Sequence, residues 1–123
     1  MSASVILYAL LALAAALCAV GSRAAWFVLR GGFVRESLER DGTIGAVLAV
    51  LAAAAHVSLI AAGFLLVDWR GWAAVLAASA VLGAVVVTRR SWPFWHAFKP
   101  LVDGLALVCV GLVWAVRAGW VQV

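Results

Sequence analysis

Charge is scarce in this chain: nine cations and five acids are spread over 123 residues. Most of them fall between long apolar runs instead of alternating with apolar residues, which leaves no polar face for a soluble helix. Acids are missing where proton-coupled export would need one. Glu36, Glu39, Asp41, Asp68 and Asp103 all lie in connections or at the ends of runs, so the midplane carboxylate that a small cation antiporter requires is absent. The only two cysteines, Cys18 and Cys109, each sit inside an apolar run, and neither a disulfide framework nor a metal-ligand spacing can be built from them. There is no glycine-rich phosphate loop, no HExxH and no nucleophile elbow, so the expectation is a chain without catalytic activity.

What the sequence does have is apolar length. Hydrophobic residues make up 68% of it, against the roughly 45 to 50% of soluble domains. They gather in four runs, about 4–22, 43–67, 71–88 and 101–119, each near the roughly 20 residues a helix needs to cross about 30 Å of hydrocarbon. Lipid offers backbone groups no partners, so such spans must be helices, and the alternation of a barrel is missing. The predicted fold is all-α: one integral membrane domain over 1–123, a bundle of four transmembrane helices. The first run lacks the basic leader of a signal peptide and reads as a retained span.

Cations set the expected orientation. Arg23, Arg30, Arg35 and Arg40 lie in loop 1 (23–42), and Arg89, Arg90 and Lys99 in loop 3 (89–100), whereas only Arg70 and Arg117 lie on the other side. The bias places loops 1 and 3 in the cytoplasm and both termini outside. Loop 1 is long enough for a short interfacial amphipathic helix, with Phe33, Val34 and Leu38 on its apolar face, Glu36 and Arg40 paired at i,i+4, and Gly31–Gly32 releasing it from span one. Asp41 or Thr43 is the expected N-cap of span two. Loop 2, "VDWRGW", predicts a tight hairpin of spans two and three and allows an Asp68–Arg70 pair.

Three groups of residues are candidates for function. His56 is the one ionisable group near midplane, about thirteen residues or roughly 20 Å into span two. With Ser79 and Cys109 at similar depth it could form a polar layer, bonding across helices to Ser79 or to a backbone carbonyl. Loop 3, "TRRSWPFWHAFKP", offers Arg89, Arg90, Trp92, Trp95, His96 and Lys99 for a lipid or quinone headgroup or a partner, with Arg35 and Arg40 of loop 1 on the same side; His96, Lys99 and Asp103 share a helix face. Small residues recur at four-residue spacing in Gly45, Ala49 and Ala53 and in Gly111, Ala115 and Gly119, as in helices that pack closely in membranes.

Function is expected from these by elimination. The leading reading is a non-catalytic accessory or assembly subunit of a larger complex in a bacterial inner membrane, contacting partner helices and anionic lipid. An alternative is a homo-oligomeric small-solute transporter or channel with His56 and Ser79 in its path. A third is a redox subunit with haem b or quinone near His56. The sequence gives no reason to expect a nucleic-acid partner.

Overall fold

The computed structural model describes residues 3–120. They form five helices: α1 (Ala3–Gly31), α2 (Val34–Leu66), α3 (Trp69–Val86), α4 (Trp92–Ala97) and α5 (Lys99–Arg117). No strand occurs among the described residues, and α1, α2, α3 and α5 are each long and apolar enough to cross a membrane. The fold is the predicted all-α four-helix bundle of a multi-pass membrane protein.

α1 runs well past residue 22 and ends only at the glycine pair. Gly32 takes a φ of 74°, a left-handed conformation in which a side chain would be strained. The Phe33 N–H reaches back to the Val28 carbonyl at 2.9 Å and the Gly32 N–H to Leu29 at 3.4 Å, the pairing that closes a helix at an αL glycine. The expected amphipathic segment is present as the first turns of α2, set off from the span by Gly42 with φ 69° and ψ −164°. Its charges pair differently from expectation: Arg35 meets Glu39 at 3.3 Å, and Arg40 turns to Asp41 at 3.0 Å instead of to Glu36. Asp41 is thus held by Arg40 and lies over Gly45, where a Cβ would collide with it.

Helices that are neighbours in space are not always neighbours in sequence. Tyr8 meets Gly71, Ala19 meets Gly83, and Arg23 donates to the Val87 carbonyl, so α1 and α3 advance together as a parallel pair. Arg40 meets His96 just before α5 begins and Ser58 meets Trp114 near its far end, so α2 and α5 run parallel in the same way. The turn at Val67 and Asp68 is as tight as expected, yet α3 packs chiefly on α1 and much less on α2. Asp68 accepts from the Gly71 N–H at 3.3 Å and caps α3, while Arg70 lies over the Trp69 ring at 5.4 Å. These contacts replace the Asp68–Arg70 pair.

The core nearer this turn is apolar, with Leu11, Leu59, Trp72 and Val113 fully buried. Trp72 docks flat on Gly63, where a Cβ would collide with the indole, and its Nε1–H donates to the Ile60 carbonyl at 2.9 Å. The ring is therefore fixed and cannot yield to a larger neighbour. Gly63→Ala should lower stability by about 1–3 kcal/mol, the usual cost of forcing extra volume into a packed core, measurable as a fall in unfolding midpoint in detergent. Gly104→Ala, at a site with nothing within 4 Å of a Cβ, should not lower it.

Candidate functional site

The end of the bundle that carries loops 1 and 3, here the basic end, is knitted together by side chains from four helices. Phe33 packs on Trp92 with ring centroids 5.2 Å apart, and Phe27 stacks on Trp92 at 6.2 Å. Arg40 donates to the His96 carbonyl at 2.7 Å. At the C-terminus of α3, whose last carbonyls need donors, Ser91 Oγ and Trp95 Nε1 both donate to the Val86 carbonyl, at 2.8 and 3.1 Å. The aromatic and polar residues of loop 3 are therefore construction as much as surface.

Lys99 and Asp103 form the most demanding pair. Nζ and Oδ2 stand 2.6 Å apart with side-chain exposures of only 10% and 3%. They are one turn apart on α5, which points them to the same side. Asp103 fits there because α1 presents Gly21, whose Cβ would come within 3.0 Å of Oδ1. The expectation that Lys99 and His96 reach out to headgroups is overturned: Lys99 is spent on Asp103, and His96 is 6% exposed.

Beside this pair the bundle is open. A groove of about 360 Å³ runs between α1 and α2, walled by Ala25, Leu29, Leu38, Ala49 and Ala53 and floored by Asp41, Lys99 and Asp103. A smaller cavity of about 160 Å³ shares Lys99 and Asp103 and reaches Cys18, Gly21 and Ser22. Ser22 bonds His56 Nδ1 at 3.0 Å, a bridge from α1 to α2. Polar groups thus continue inward from the basic end along one side of α1, from Asp41 through Lys99 and Asp103 to Ser22 and His56.

The predicted midplane layer does not assemble. His56 is bridged to Ser22, Ser79 Oγ donates to the Leu76 carbonyl of its own helix at 2.8 Å, and Cys109 lies with Cys18 in the apolar core. The small ridges also separate: Gly45, Ala49 and Ala53 line the groove, Gly111 is exposed and Ala115 half-buried, and Gly119 lies beyond α5 with φ 81°. Arg35, Arg89 and Arg90 are exposed. Sequence reasoning passed over Ser22, and it took Arg23 and Arg30 only as markers of orientation. Arg23, Trp26, Phe27 and Arg30 follow i, i+3, i+4, i+7, one helix face, and that spacing was the available signal.

No family model, curated protein or solved structure matches the chain. The geometry alone carries the functional reading.

Two outcomes follow from the buried charges. Lys99→Met should destabilise the bundle by about 3–5 kcal/mol because it strands a buried carboxylate, and adding Asp103→Leu should recover most of that loss; chemical or thermal unfolding of the three proteins checks this. For His96, burial together with Arg40 and Lys99 holds the imidazole below its ordinary value of 6.5, against the opposing pull of Asp41. The unfolded chain then binds a proton that the native chain refuses as pH falls below about 6.5, so stability drops with acid through this window. His96→Gln should flatten the slope of unfolding midpoint against pH between 7.5 and 5.

Proposed function

We propose that the chain is a non-catalytic accessory or assembly subunit of a larger complex in a bacterial inner membrane, and that a partner's transmembrane helix lies along the groove between α1 and α2. The observation that carries this reading is the position of Gly45, Ala49 and Ala53. Lipid supplies no hydrophobic drive for helix association, so membrane helices adhere by close packing, and small residues mark the surfaces where that packing happens. α1 and α3 use theirs in this way, with Gly83 set against the Ala19 backbone. The α2 ridge, equally small, lines open space instead.

Positive charge orients the subunit: the basic end faces the cytoplasm. The other two readings gain no support of this kind. A solute path within one chain would have to pass Leu11, Leu59 and Val113, all fully buried and apolar. For a haem held within one chain, the two histidines are badly placed, since His56 is bridged to Ser22 and His96 is packed in α4 beside Trp92.

A photo-crosslinking side chain at position 53 should capture a defined membrane protein in the source membrane, and one at Val81, exposed on α3, should not. Ala53→Leu, at an exposed position of the groove wall, should cut recovery of that protein at least about tenfold while leaving the bundle's own unfolding unchanged, since surface substitutions usually stay within about 0.5 kcal/mol. Crosslinking of lipid alone at both positions overturns the reading.

A further inference from the structure

On the opposite side of α1 from the groove, the basic end forms a second cavity, about 820 Å³, with Arg23, Arg30 and Arg89 around it and Trp26, Phe27 and Trp92 among its walls. We infer that this cup is a binding site for a phosphate ester, the headgroup of an anionic phospholipid. The inference does not depend on the partner helix proposed above.

The overrun of α1 makes the cup. Arg23 donates to the Val87 carbonyl just past the end of α3, so α1 overruns α3 from that level. The eight residues of α1 beyond it project about 12 Å further and stand as a wall facing Arg89. Two of the guanidinium groups are held in place before any ligand arrives. Arg23 lies 4.6 Å from the Trp26 centroid and 4.8 Å from Phe27, and Arg30 lies 5.2 Å from the same Trp26 ring. Such stacking fixes a guanidinium while leaving N–H groups free for a phosphate, whose oxygens match its planar fork.

Charge balance supplies the second argument. Gathering three arginines around one cavity costs mutual repulsion, and the chain does not offset it. The ion pairs among the described residues are Arg35–Glu39, Arg40–Asp41 and Lys99–Asp103, and none involves an arginine of the cup. An anion is the missing counter-charge. The cup's level at the end of α3 and its aromatic walls suit a group that enters from the bilayer interface, where ring edges sit among headgroups. A zwitterionic headgroup brings no net charge and should bind more weakly.

The test uses the full chain in detergent and in nanodiscs. Native mass spectrometry should show retained phosphatidylglycerol in preference to phosphatidylcholine. Arg30→Gln and Arg89→Gln, at exposed positions, should each weaken retention roughly tenfold. Arg90→Gln removes the same charge at the same end but does not line the cup, and should change it less than twofold. Arg30→Lys keeps the charge, loses the fork, and should recover only part. If inorganic phosphate stabilises the lipid-free protein in an Arg30- and Arg89-dependent manner while phosphatidylglycerol does not, the site binds phosphate from solution and the headgroup assignment falls. Equal losses for Arg90→Gln and the cup variants mean bulk attraction to the membrane, and overturn the site altogether.

Discussion

Every other helix of the bundle rests on α1, and it can do so only because most of what α1 buries is small. Ala14, Ala15, Cys18, Ala19 and Ala24 are buried along it, and Gly21 leaves space into which the Asp103 carboxylate projects. Backbones that approach this closely gain dispersion contacts over their whole length, the main favourable term for helices already dissolved in lipid. Larger side chains on α1 would push α3 and α5 outwards together. The parallel pairing of α1 with α3, and the room for a charge on α5, both depend on this one slender face.

The second consequence comes from unequal lengths. α1 has 29 residues and α3 has 18, a difference of about 16 Å along the axis. Because Arg23 is level with Val87, much of that surplus projects at the basic end, where it meets α4 and the first turns of α2. Trp92 is the hinge of that meeting, touching Phe27 of α1, Phe33 and His96 at once. A short helix of six residues has little stability of its own; α4 is held by these rings and by the α3 carbonyls that Ser91 and Trp95 satisfy.

How much of this could be read from the sequence follows from which forces are local. The four spans and the glycine break after α1 were legible, because lipid forces backbone self-satisfaction and because Gly32 has the left-handed freedom the turn uses. What carries α1 past its apolar run was less so. The glycine pair allowed the helix to run on beyond Arg23, but the guanidinium lying on Trp26 and Phe27 within the same helix is a contact that hydropathy does not encode. The shared face of His96, Lys99 and Asp103 was legible from spacing, but their burial was not, since it depends on Gly21 and Arg40 arriving from other helices. His56 was rightly singled out as unusual, yet its partner Ser22 depends on the relative register of α1 and α2, which apolar periodicity does not encode.

The Lys99–Asp103 pair is an expensive way to secure α5. Lysine precedes aspartate, the order that opposes the helix dipole, and the cation sits at the positive end of the helix. Burial adds a desolvation penalty that the pair's attraction barely repays, and apolar residues of the same volume would pack the same space at no such penalty. Stability alone therefore does not account for the pair. Its distinct contribution is local polarity: it floors the groove between α1 and α2 and continues through the small cavity towards Ser22 and His56. A wall of small residues beside a polar floor can discriminate among approaching helices. Under the partner-helix proposal, a purely apolar helix would cover these polar groups without adding a hydrogen bond to them, whereas one bringing a serine, threonine or asparagine to that depth would add one. If a partner helix lies in the groove as proposed, the pair would turn close packing, which is permissive, into selection of one partner over another.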